Sequence, residues 1–125
     1  MIRFIKTLQE TKFESSSVTT PQFKKFVRQF RNDMKNLLET YGAHGVEIDA
    51  GHFYISGFFT AENGQIWYIS LSDVRWMIGG MRMLIRTAES YKDYTGGSNG
   101  FIELDRDFDE NLLKVISRTR LVVSK

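Results

Sequence analysis

The side chains best placed to do chemistry crowd into residues 91–100. Tyr91, Asp93, Tyr94, Thr95, Ser98 and Asn99 stand there beside Gly96 and Gly97. Consecutive amides without Cβ atoms can form an anion-binding concavity, and the hydroxyls, amide and carboxylate add directed hydrogen bonds. Arg82 and Arg86 precede the loop at a spacing that puts both on one face of a strand. Arg75 lies a little further upstream. An arginine joined to this loop would grip a phosphate, nucleotide or carboxylate, with Tyr91 or Tyr94 stacking on a ring. The pattern is neither a Walker loop nor a dinucleotide fingerprint. The same residues also suit a plain hairpin loop in which asparagine and glycine satisfy turn geometry. Sequence leaves both uses open.

A second pattern is Lys24, Arg28, Arg31 and Lys35. Steps of four, three and four align these cations along one side of a helix. Such a ridge suits phosphates or an acidic protein surface; a solvated helix face is the commoner use of such a pattern. Asp33 and Glu39 lie off the line. Trp76, beside Arg75, is the expected exposed anchor for a partner. His44 and His52 flank Asp49, which is short of a metal or acid–base set. The chain has no cysteine, so a thiolate zinc site, a disulfide and a cysteine nucleophile are excluded. A nucleophile elbow is absent. No catalytic residue, metal or cofactor is assigned.

The chain has 125 residues, 42% of them hydrophobic and 14% aromatic, enough for a real core in a single domain over residues 1–125. Formal net charge is +2, far below that of a dedicated nucleic-acid binder, so any basic surface must come from local arrangement. Charges interrupt residues 1–6 too early for a signal peptide. No stretch approaches the roughly 20 apolar residues that cross a bilayer, so no membrane partner is expected.

These patterns need elements to position them. Residues 20–41 read as a long helix. Thr19 and Thr20 offer a capping hydroxyl, Pro21 suits the first turn, Gln22 suits a capping box, and Gly42 is a natural stop. Phe23, Phe26, Val27, Phe30, Met34, Leu37, Leu38 and Tyr41 form its apolar stripe. Residues 1–9 alternate loosely and read as an edge strand. Residues 46–49, 52–60, 65–71, 81–88 and 101–104 read as strands of a meander, with Asn63-Gly64 marking a hairpin. Gly57 inside its strand suggests a bulge or a close approach by another backbone. Strands 52–60 and 65–71 are apolar on both faces, which predicts a sheet covered on both sides. The long helix would take one face. The C-terminal helix or a second subunit would take the other, and a homodimer is expected. Asp107 to Glu110 reads as a capping box for a last helix, after which Leu121, Val122 and Val123 finish as a strand or dock on the core. The fold class is α+β: an antiparallel sheet of about five strands (meander core 45–104), a long N-terminal helix (about 20–41) and a shorter C-terminal helix (about 108–120).

Three segments carry a likeness: Gly51-His52-Phe53-Tyr54-Ile55-Ser56-Gly57-Phe58-Phe59, Ser70-Leu71-Ser72-Asp73-Val74-Arg75 and Arg86-Thr87-Ala88-Glu89-Ser90-Tyr91-Lys92-Asp93-Tyr94-Thr95-Gly96-Gly97-Ser98-Asn99. Over roughly residues 45–104 the chain resembles small proteins of tailed phages and mobile elements of Gram-positive bacteria, which have no assigned activity. The resemblance implies expression in a bacterial cytoplasm and a non-enzymatic accessory protein that acts by binding. A counter-defence role would take one of two forms. One is occlusion of a host defence protein, in the manner of anti-CRISPR proteins. The other is sequestration of a signalling nucleotide in the glycine loop. Two alternatives stand beside it: a nucleic-acid-binding module that uses the stripe Lys24, Arg28, Arg31, Lys35, and a small enzyme acting on a phosphorylated substrate.

Overall fold

A computed structural model describes residues 2–11, 13, 20–51, 53–76, 82–91, 93 and 99–123, without the side chains of Thr20, Trp76 and residues 118–123. In chain order come α1 (Arg3–Glu10), α2 (Thr20–Thr40), β1 (His44–Ala50), β2 (Ile55–Thr60), β3 (Ile66–Leu71), a short 3-10 turn (Val74–Trp76), β4 (Arg82–Ala88), β5 (Gly100–Glu103) and α3 (Phe108–Val123). The strands form one five-stranded sheet in the order β1-β2-β3-β4-β5, antiparallel at every step. The α+β meander with its long N-terminal and C-terminal helices is therefore present. Among the described residues, no helix is long and apolar enough to cross a membrane.

The apolar stripe of α2 decides the packing. Phe23, Phe26, Val27, Phe30, Met34 and Leu38 are all buried, and Leu37 and Tyr41 pack against the same cluster. Each large side chain taken from water contributes roughly 1.5–3 kcal/mol before ordering entropy is counted. The helix stops at Gly42, whose φ of +82° is open to glycine at little cost. The Ala43 amide donates to the Leu38 carbonyl (2.9 Å) and the Gly42 amide to that of Glu39 (3.0 Å), which is a Schellman cap. Ala43 and Leu38, both buried, supply the hydrophobic contact that accompanies it.

Residues 3–10 form a helix, not the edge strand expected. Phe4, Ile5 and Leu8 are the buried set, a helical spacing in a segment too short to declare itself. Ile2 at its N-cap offers no capping side chain. The cap comes from α2 instead: the Asp33 carboxylate accepts the Phe4 amide (2.9 Å) and pairs with Arg3 (3.2 Å). Phe4 then touches Phe30 at 4.7 Å between ring centroids and Phe108 of α3 at 5.8 Å.

One face of the sheet takes both long helices. Ile48, Ile55, Phe59, Trp67, Ile69, Leu71, Met83, Ile85 and Ile102 are buried in the cluster that also holds Phe108, Leu112 and Ile116 of α3. Of the two occupants expected for the opposite face, the C-terminal helix is thus corrected: it lies on the same face as α2. Its apolar side is satisfied beside α2, where the Tyr41 hydroxyl donates to the Asp109 carbonyl (3.1 Å). Burial, followed by the Asp109 and Glu110 carboxylates, pushes the Tyr41 phenol above its ordinary value. The helix also runs through to Val123, so residues 121–123 are helical and not a strand. On the far face, Phe58, Tyr68 and Arg86 stand in one register row.

Two local details differ from expectation, and at Gly57 one of the two alternatives holds. Strand β2 begins at Ile55, which pairs with Ala50; Gly51, Phe53 and Tyr54 belong to the β1–β2 turn. At the β2–β3 hairpin only Gly64 has positive φ (+89°); Asn63 instead accepts the Gln65 amide on its side-chain oxygen (3.0 Å). The bulge lies in β1, between His44 and Glu47, and not at Gly57. Gly57 serves the close approach: a Cβ there would stand 2.6 Å from the Glu47 carbonyl oxygen and 2.6 Å from Ile48 Cδ1. The capping hydroxyl expected for α2 lies outside what the structure describes.

Because the Gly57 clash is with backbone, Gly57→Ala must push β1 away from β2. Urea unfolding of this variant should show a loss of about 1–3 kcal/mol, the usual range for overpacking. An unchanged midpoint would mean that β1 is not held this closely.

Candidate functional site

The glycine loop is only partly within view. Tyr94, Thr95, Gly96, Gly97 and Ser98 lie outside the described residues, as does the Trp76 side chain. What is described of the loop is a turn. The Asp93 amide donates to the Ser90 carbonyl (3.0 Å) and the Glu89 amide to that of Asp93 (3.0 Å). Tyr91 is drawn across the sheet from this turn. Its hydroxyl donates to the Gly45 carbonyl (2.7 Å) and lies 3.0 Å from Thr60 Oγ1, and its ring stacks on Phe58 at 5.7 Å. Tyr91 therefore ties the turn to β1.

Of the three arginines offered as partners of that loop, one reaches it. Arg86 reaches Asn99, its Nη1 donating to Oδ1 (2.9 Å). Arg82 places its guanidinium carbon 4.4 Å from the Phe101 ring centroid. Arg75 is at the other end of the sheet. It follows β3 where Leu71 pairs with Ile55, whereas Tyr91 follows β4 where Ala88 pairs with Ile66. A six-residue strand, about 20 Å long, lies between those ends. Arg75, Tyr91 and Asn99 thus do not converge.

The side chains that do converge lie on α2 and the β1–β2 turn. Phe23, Lys24, Val27, Arg28, Arg31, Ala50, Gly51 and Phe53 line an open groove of about 410 Å³, within the usual size of ligand sites. Three of the four cations of the helical stripe are in it; Lys35 continues the line beyond, exposed. Among the described lining residues there are three cations and no carboxylate. Arg31 also donates through Nη2 to the Ile48 carbonyl (3.2 Å), fixing α2 to the edge strand at the wall of the groove. A smaller cavity of about 230 Å³, lined by Thr7, Thr11, Phe13, Gln22, Lys25, Phe26 and Gln29, has a single cation among the described residues.

Phe53 is the residue that sequence reasoning missed. Its φ is +62°, the left-handed region, which is a true outlier for a bulky side chain. Such strain costs of order 1–3 kcal/mol and persists only where the surroundings hold it. Here they do. The Phe53 carbonyl accepts the Val74 amide (2.9 Å), the ring meets Phe23 at 5.1 Å, and the Arg75 guanidinium carbon lies 4.7 Å from the ring centroid. Arg75 is itself held by Asp73, whose Oδ1 accepts Arg75 Nε (2.7 Å) and the Arg75 amide (3.0 Å). That hydrogen bond is the main cause of the upward shift of the Arg75 guanidinium, with desolvation opposing it. The signal available in the sequence was an aromatic residue inside a glycine-containing turn, next to Asp73-Val74-Arg75 in the fold but not in the chain.

His44 is exposed, and His52 lies outside the described residues. Among the described residues, no three His, Asp or Glu side chains stand together as a metal site.

The strain at Phe53 gives a test of unusual sign. Alanine normally outperforms glycine, but a left-handed residue reverses the order. Phe53→Gly should therefore be more stable than Phe53→Ala by about 1 kcal/mol in chemical denaturation. The opposite order would show that the backbone there is ordinary. No family model, curated protein or solved structure matches this chain.

Proposed function

We propose that the protein is a non-catalytic binding protein whose groove between α2 and the β1–β2 turn takes a phosphate-bearing ligand. One observation carries this reading: Lys24, Arg28 and Arg31 line a single groove together with the Phe23 and Phe53 rings, with no carboxylate among the described lining residues. Clustered cations beside low-dielectric walls raise the local concentration of anions and strengthen each contact. The apolar walls favour a ligand that carries more than bare phosphate. Charge and apolar surface are the equipment of binding. The reading keeps the ridge expected for nucleic acid and moves the ligand site away from the glycine loop. In the phage or mobile-element setting that the resemblance implies, such a protein would act by holding or covering a nucleotide or nucleic acid.

Thermal unfolding in the presence of pyrophosphate or ATP tests this. Both should raise the melting temperature of the full chain, and the rise should be lost in Lys24→Gln/Arg28→Gln. Arg86→Gln should respond as the unmodified protein does. A rise that survives the double substitution and disappears in Arg86→Gln would return the site to the glycine loop.

A further inference from the structure

Beside the groove stands an aromatic ring with no role in the core. Tyr54 is 48% exposed, although it lies between the buried Phe53 and Ile55. Its ring rests on Gly51: a Cβ on that glycine would fall 2.0 Å from Tyr54 Cε2 and 2.2 Å from Cζ. Gly51 also lines the groove. The Gly51 amide donates to the Tyr54 carbonyl (3.0 Å), which ties the backbone beneath the ring to the residue that lines the groove. Glycine is needed here for space, not for φ, since Gly51 is not among the positive-φ residues.

The cations point to a ligand longer than a mononucleotide. From Lys24 to Lys35 the aligned stripe extends about 16 Å along α2, and Lys35 lies past the groove. A track of cations that outruns its pocket suits a chain of phosphates. An exposed ring on a rigid floor suits a flat partner. An aromatic platform beside a basic track is how sequence-tolerant single-strand binders are built. A duplex has its bases stacked on one another, leaving none free for Tyr54, and its convex backbone would meet only the rim of a concave groove.

We infer that the groove binds single-stranded nucleic acid, with phosphates along Lys24, Arg28, Arg31 and Lys35 and an unpaired base stacked on Tyr54 at the β1–β2 turn. This rests on the phosphate-binding reading and names its ligand.

Fluorescence anisotropy with the full chain tests it. The probes are labelled oligothymidylate and oligouridylate of about twelve nucleotides and a duplex of the same length, with ATP followed separately by thermal shift. Both single strands, or either of them, should bind more tightly than the duplex. Y54A should weaken that binding about five- to a hundredfold, Y54F should retain it, and both should melt as the parent does because the ring is exposed. With three or four phosphates neutralised, log affinity should fall against log salt with a slope of about −2 to −3, and R28Q should flatten it by about 0.7. Equal binding of duplex and single strand would overturn the inference. So would an unchanged Y54A alongside a weakened R28Q, and that pair of results would leave the phosphate groove standing. Stabilisation by ATP that depends on Lys24 and Arg28, with no oligonucleotide bound, would likewise sink the single strand and keep the groove. Absence of binding to every probe would remove both.

Discussion

Phe23, Phe26, Phe30, Met34 and Leu38 must leave water together, because they stand on one side of α2. Turning that side to the sheet leaves no freedom in where the other residues of the helix go. Lys24, Arg28 and Arg31 sit one residue after Phe23, Val27 and Phe30, so the packing that buries the phenylalanines brings the cations to the margin of β1. There Arg31 finds the Ile48 carbonyl and closes the contact between helix and edge strand. The basic groove is a by-product of helical phase: the same 3.6-residue period that makes the core also aligns its rim.

The wall of that groove is fixed less cheaply. Phe53 holds a left-handed backbone that glycine would adopt freely. It is kept there by contacts from three directions: Phe23 on α2, the Val74 amide, and Arg75 locked by Asp73. The rings of Phe108, Phe4, Phe26, Phe23 and Phe53 form a continuous series from α3 through α1 and α2 to the turn. Each ring in edge or tilted contact adds specific geometry to its buried area. The turn is therefore braced against the whole helical layer. Strain retained at such cost, at the edge of a charged cavity, is what preorganised sites tend to carry.

Much of this was legible from residue order. The stripe of α2 and its glycine stop announced the helix, and alternating runs with turn residues announced the meander. Helix α1 was not legible, since eight residues give a short pattern and its N-terminal cap is Asp33, far along the chain on α2. The alignment of Lys24, Arg28 and Arg31 could be read, but what faces them could not. That depends on how α2 docks and on Phe53, rather than Gly51, taking positive φ in the turn. The glycine loop drew attention through its composition. Yet its Tyr91 bridges to Gly45 and stacks on Phe58, contacts that only tertiary folding creates. Cations gathered on apolar walls mark a place where something charged can rest.

The most direct measurement is an amide chemical-shift titration of the isotopically labelled full chain with pyrophosphate and then with oligothymidylate. The largest changes should fall on Lys24, Arg28, Arg31, Gly51 and Phe53, with Tyr54 joining when the oligonucleotide is added. Changes centred on Tyr91, Asp93 and Asn99, with α2 unmoved, would contradict binding in the groove.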